Sequence, residues 1–254
     1  MTWTNPLSVT ALAGMPLFAQ GMSIAHAVLD AGEPLGASDV LVVAQKIVSK
    51  VEGRFVSLAE VSAGNEARRI AEKTGRDDKM MQLILDESSE ILRARPEAVI
   101  ARHNSGHVLA NAGIDASNIE GEGQVLLWPL DPDASARAIR AELRAARGTA
   151  PAVVIADSMG RAWRIGTVGT AIGSAGLVVL EDRRGTGKDL FGRTLQATVI
   201  AVADSIAGIA SLAMGEGAEG TPVAIVRGAE RWVSEDDGPG AASGLRPMEQ
   251  DMFR

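Results

Sequence analysis

The chain alternates short, continuous apolar runs with stretches whose apolar residues recur every three or four positions, the pattern of strands interleaved with helices. Residues 8–12 predict an opening strand, and Ser23 caps a short helix that stops at Gly32. Residues 39–44 (Asp-Val-Leu-Val-Val-Ala) form an unbroken apolar run, as in a strand covered on both faces. Helical spacing over 66–73 and 78–93 predicts two helices with Gly75 between them. Residues 98–102 and 107–112 predict a hairpin around Asn104-Ser-Gly106, and 124–128 a further strand. The helix predicted over 133–147 carries acid at its front and arginine towards its back, with Gly148 as the stop. Strands follow at 152–156 and 176–180, then a long small-residue helix over 193–214 ending at Gly215, and a last strand at 221–226. The segment 234–244, rich in acid, glycine, serine and proline, predicts mobility, which divides the chain into a folded unit over 1–233 and a flexible tail over 234–254. No solenoid period is present. The mixed order of elements predicts an α+β or irregular α/β fold rather than a regular barrel.

Composition narrows the class. With 254 residues, 46% apolar and 22% charged, the chain has the mix of an ordinary folded protein and enough length to fold without a disulfide or metal staple. Having no cysteine, it has no disulfide scaffold, no cysteine-ligated zinc or iron–sulfur centre and no thiol nucleophile. Acids outnumber bases 32 to 25, which argues against a nucleic-acid partner, and the absence of tyrosine argues against a base-stacking platform. The first basic side chain is Lys46, so a secretory leader is not expected. The longest apolar stretch contains Asp204 and Gly208, fitting a buried helix better than a membrane span. A cytoplasmic protein without a membrane partner is the expectation.

Glycine is abundant, 28 of 254, and gathers with acids in three segments: 111–118, 157–166 and 214–220. Asp157 directly follows a predicted buried strand, where α/β sheets collect ligands, although an aspartate there equally suits a turn cap. Asp115 with Asn118, and Glu216 in its glycine loop, carry the same ambiguity. Three such acids with the Ser158 hydroxyl would suit a hard cation such as magnesium or manganese. The histidines lack helical ligand spacing, and His103 and His107 read as surface residues flanking a turn. Only five of the 25 bases are lysines. Lys46 and Lys50 follow a predicted strand at a spacing of four, suiting either a polyphosphate or an exposed helical turn. Gly185-Thr-Gly-Lys-Asp189 resembles the end of a phosphate loop, but Asp182 and Asp189 stand where that motif needs Gly and Ser or Thr.

Seven segments occur in a familiar order, among them DVLVVAQKIVSKVEGR, NAGIDASN, DSMGRAWRIGTVGTAIGSAG and MGEGAEGTPVAIVRG. Together they closely resemble the coenzyme F420:L-glutamate ligases, also called F420-0:gamma-glutamyl ligases, from about residue 12 to 228. The resemblance implies a two-part α+β fold unrelated to P-loop enzymes, and a homodimer. The implied activity is a GTP-dependent ligase that adds L-glutamate to coenzyme F420-0, with a further gamma-linked glutamate as an extension, through an acyl phosphate that yields GDP and phosphate. By motif, Asp115 and Asp157 are implied as ligands of one divalent cation, Mg2+ or Mn2+, and Ser158 and Glu216 as ligands of a second. The family more often has threonine where Ser158 stands. A monovalent cation such as K+ is a further expectation. Nucleotide contacts map to Met15, Pro16, Leu17 and Phe18, to Gln45, Lys46 and Lys50, to Asn118, and to Met214, Gly215, Glu216, Gly217, Ala218, Glu219, Gly220 and Thr221. Lys50, joined by Lys46, is expected on the phosphates, with Arg161 and Arg164 either as clamps on a phosphate or carboxylate or as structural residues. Some relatives continue into a nitroreductase-like domain, and an end at Arg254 leads to the expectation that this second activity is missing. Another metal-dependent ligase or hydrolase, or a non-catalytic nucleotide or deazaflavin binder, remain the alternatives.

Overall fold

The computed structural model describes residues 6–251. Strand β1 (Ser8–Ala11) leads to helix α1 (Ile24–Asp30), whose first turn is capped by the Ser23 hydroxyl accepting the His26 N–H at 3.1 Å. Strand β2 (Val40–Ala44) runs without a break into helix α2 (Gln45–Val51), then β3 (Phe55–Ser57). Helices α3 (Asn65–Thr74) and α4 (Asp78–Asp86) precede three strands, β4 (Ser88–Ala94), β5 (Val99–His103) and β6 (Val108–Ala110). Strand β7 (Gln124–Leu126) is followed by helix α5 (Pro132–Arg147), which opens on the Asp131 cap and ends at the left-handed Gly148. A long hairpin, β8 (Ala152–Arg161) and β9 (Arg164–Ala175), is followed by β10 (Leu180–Asp182), β11 (Val199–Ala201), α6 (Val202–Met214) and β12 (Val223–Arg227).

The principal sheet has the order β1-β12-β2-β8-β9, with β2 and β8 parallel and the other pairs antiparallel. Side-chain alternation divides its residues between two cores. Leu41, Val43, Val153, Ile155, Val223 and Ile225 pack with α1 and α5, while Val40, Val42, Val154, Ala224 and Val226 pack with α6. A third core joins Ala67 and Ile70 of α3 to Met81 and Ile84 of α4 and to Val99 and Ala101 of β5, backing the sheet β4-β5-β6. The result is an α+β molecule with one principal sheet and a smaller satellite layer, the fold class predicted.

Five expectations change. The helix predicted over 78–93 ends at Asp86, and Ser88–Ala94 instead pairs with β5 through two register shifts. The strand predicted at 152–156 extends to Arg161, and its partner β9, mostly Gly, Thr and Ala, lies where no element is predicted. Those glycines serve packing. A side chain at Gly169 would strike Ala207 and Ser211 of α6, and one at Gly173 would strike Pro132 of α5, so both helices lie directly on the strand backbone. Accordingly, 176–180 is not the strand, apart from Leu180, and the helix predicted from 193 begins at Val202 after β11. The segment from 234, predicted mobile, packs back on α5. Arg140, 2% exposed, donates to the Ser234 carbonyl and the Asp237 carboxylate, each at 2.6 Å, and Asp133 accepts the Ala241 N–H at 2.6 Å. Among the described residues, no helix is long and apolar enough to cross a membrane.

Candidate active site

The parallel pair β2 and β8 ends in a cavity of about 440 Å³, where a sheet of this kind gathers ligands beyond its strand ends. Four segments wall it. Residues 15–18, between β1 and α1, form one rim; the first turns of α2 supply Gln45, Lys46 and Lys50; Asn118 closes a third side; and residues 214–222, between α6 and β12, form the fourth. Asp157 and Ser158 stand at the floor on β8. Every residue expected at the nucleotide lines this cavity. So do Ala44, Ile47, Ala156, Ser211 and Pro222, which give no chemical signal in a sequence.

The walls are tied to one another. Lys50 Nζ donates to the Asn118 carbonyl at 2.8 Å, and Asn118 Nδ2 donates to the Gly217 carbonyl at 3.3 Å. Glu219 accepts the Gly217 N–H at 2.7 Å, and the Thr221 hydroxyl donates to the Met214 carbonyl at 2.7 Å, closing the glycine loop on itself. Gln45 is buried, and its amide donates to Ser49 Oγ at 2.6 Å.

Asp115 lies in a second cavity of about 140 Å³ that shares Asp157 and Ser158 with the first. Its carboxylate accepts the Ser117 N–H and hydroxyl at 2.8 and 2.9 Å and pairs with Lys46, which lines the larger cavity. The three acids therefore converge. Asp157 and Glu216 share the large cavity, Asp115 and Asp157 share the small one, and the Lys46 ammonium reaches between them. Burial lowers the Lys46 pKa, against the raising pull of Asp157 and Glu216, and Lys50 lowers it further. Burial raises the Asp157 pKa, opposed by hydrogen bonds and by Lys46.

Among the described residues, no group of three or more His, Cys, Asp or Glu side chains is arranged to hold a metal ion. The proposed donors are nonetheless all oxygen, the carboxylates of Asp115, Asp157 and Glu216 and the Ser158 hydroxyl common to both cavities. That suits a hard cation which takes a few protein oxygens and completes its shell with phosphate and water, as magnesium does.

Two predicted residues fall elsewhere. Arg161 and Arg164 flank the exposed Ala162-Trp163 end of the β8–β9 hairpin and line neither cavity, so within this chain they do not form the expected clamp. The extended, antiparallel course of β8 beyond Asp157 carries them away from the floor. His103 and His107, expected at the surface, are 4% exposed each and pack against the indole of Trp128. Trp128 itself was missed as a site residue: it is fully buried, and its Nε1–H donates to Asp157 Oδ2 at 2.9 Å. The available signal was a tryptophan closing an apolar strand in a chain with only 3% aromatic residues.

The pattern of the F420-0:gamma-glutamyl ligase family matches residues 14–228. This chain belongs to that family. It is similar to the coenzyme F420:L-glutamate ligase of Methanothermobacter thermautotrophicus, 44% identical over 98% of this chain and 99% of the relative. The relatives of the same name from Methanocaldococcus jannaschii and Methanopyrus kandleri are 42% and 41% identical, covering 94% and 92% of each chain. The family match spans all four cavity walls, from Met15 to Pro222.

Proposed function

We propose that this member of the F420-0:gamma-glutamyl ligase family joins L-glutamate to coenzyme F420-0 with cleavage of GTP to GDP and phosphate, and extends the product by further gamma-linked glutamate. The observation that carries the reading is the convergence of Lys46, Lys50, Asp115, Asp157, Ser158 and Glu216 on two adjoining cavities in a chain so similar to named ligases.

Joining a carboxylate to an amine in water requires an activated acyl group. In the proposed reaction a carboxylate oxygen of the acceptor attacks the terminal phosphorus of GTP. The bond from phosphorus to the bridging oxygen breaks, GDP leaves, and an acyl phosphate forms. The glutamate amine then attacks the acyl carbon, phosphate departs with the bonding electron pair, and the amine loses a proton as the amide forms. Lys50 supplies fixed positive charge to the phosphates, and Lys46, among the three acids, adds to it. The loop 214–221 presents backbone N–H groups to the nucleotide, its glycines allowing close approach. Asp115 and Asp157 would hold one divalent cation, and Ser158 with Glu216 a second. Bound there, the ions would offset the repulsion between phosphates and the incoming carboxylate.

The test is incubation with glutamate-free coenzyme, L-glutamate, GTP and Mn2+. Glutamyl addition seen by mass spectrometry, together with GDP, is expected; no addition with any nucleotide would overturn the reading. GDP release that does not require the deazaflavin would instead favour a hydrolase.

A further inference from the structure

The carboxylate at the cavity floor is held from behind. Asp157 Oδ2 accepts the Trp128 indole N–H at 2.9 Å, and Oδ1 accepts the Ser158 N–H at 2.8 Å. The indole is itself fixed. Its ring lies 5.0 Å from that of His103, tilted by 52°, and 5.4 Å from that of His107, edge-on at 77°. Ser105 Oγ bridges the two imidazoles at 2.8 and 2.9 Å. Arg54 donates to the Trp128 carbonyl at 2.8 Å and to Glu87 at 3.0 Å, and Glu87 stands 3.6 Å from His103 Nε2. On the polar edge of the indole sits Gly113, where any side chain would strike Nε1. Trp128 is thus caged on its faces and its edge, leaving its N–H one direction, towards Asp157.

We infer that Trp128 is a positioning residue for the reaction: it fixes the rotation of the Asp157 carboxylate and thereby aims the remaining lone pairs into the two cavities. Without the indole donor, Oδ2 would be a buried acceptor with no partner, and the carboxylate would turn to recover one. Outer partners of this kind typically change metal affinity by about 10- to 100-fold. The inference rests on the proposed role of Asp157 as a ligand of a divalent cation.

The experiment compares wild type, Trp128→Phe, Asp157→Asn and the double variant. Mn2+ binding is measured by electron paramagnetic resonance with GDP present, and kcat and KM by steady-state kinetics. Trp128→Phe keeps a ring in the cage and removes the donor. It is expected to weaken Mn2+ binding about 10-fold and to lower kcat while leaving the KM for glutamate unchanged. On the Asp157→Asn background it should cause no further loss of Mn2+ binding. Trp128→Phe with wild-type Mn2+ affinity, beside a defective Asp157→Asn, would overturn the positioning role alone. Wild-type Mn2+ affinity in Asp157→Asn would overturn the ligand role of Asp157 itself. Should Trp128→Phe fail to fold, the indole N–H resonances of the four tryptophans in wild type and Asp157→Asn decide the matter. One exchange-protected signal should move between the two proteins, and a spectrum in which none moves refutes the inference.

Discussion

Asp157 and Glu216 face the same cavity but are held in opposite ways. Asp157 sits on a strand with an N–H group on each oxygen and a caged tryptophan behind it. Glu216 stands exposed on a loop between Gly215 and Gly217. A carboxylate on a strand comes preorganised, so its loss removes an interaction that needs no rearrangement at the moment of reaction. In the proposed reaction, a carboxylate on a glycine loop would follow the nucleotide as it enters and leaves, so its loss would be felt more in binding than in the chemical step. The cavity thus has a rigid floor and an adaptable wall.

The sharpest way to break this contrast is Asp157→Asn. It should retain the fold and lose about 100- to 1000-fold in kcat, read by product formation at saturating substrate. Undiminished turnover would remove Asp157 from the floor. The second test addresses the cage. Burial first, and the neighbouring His103 next, lower the His107 pKa from 6.5 to about 4. The neutral imidazole is therefore favoured in the fold, while the unfolded chain takes up a proton at higher pH. His107 should contribute stability that is full above about pH 6.5 and declines as the pH falls towards about 4, a change of up to about 3 kcal/mol. Denaturant midpoints for wild type and His107→Gln across that range should differ in slope by about one proton, and equal slopes would refute the burial account. Third, Glu216→Gln should raise the metal concentration needed for half-maximal rate about 10-fold and be largely rescued by excess Mn2+. A loss of kcat as deep as that of Asp157→Asn would abolish the distinction between floor and wall. The smallest effect is expected at the far end of the same hairpin, where Arg161→Ala and Arg164→Ala should each change thermal stability by no more than about 0.5 kcal/mol.

The sequence made the floor and wall legible to different degrees. The continuous run of β2, the Asp133 start and Gly148 stop predicted for α5, and the last strand all follow from local chemistry, and the structure has them within a residue or two. The acids, lysines and glycine loop stand out by residue type alone, and they line the two adjoining cavities. What was hidden depends on contacts between distant segments. Ser88–Ala94 keeps the apolar spacing of α4, and only its pairing with β5 makes it a strand. Strand β9 looks like a loop until Gly169 and Gly173 are seen beneath two helices. The cage around Trp128 draws on Arg54, Glu87, His103, Ser105, His107 and Gly113, none of which signals a role by itself. Arg161 and Arg164 lie four and seven residues past Asp157, and an extended strand carries such neighbours about 3.3 Å further away with every residue.

The most direct measurement follows oxygen. Glutamate-free coenzyme labelled with 18O in its acceptor carboxylate is incubated with L-glutamate, GTP, Mn2+ and this protein. Attack of that carboxylate on the terminal phosphorus requires the released phosphate to carry one labelled oxygen, while the new amide keeps the other. Phosphate free of label beside a labelled glutamyl product would contradict an acyl phosphate formed in this cavity.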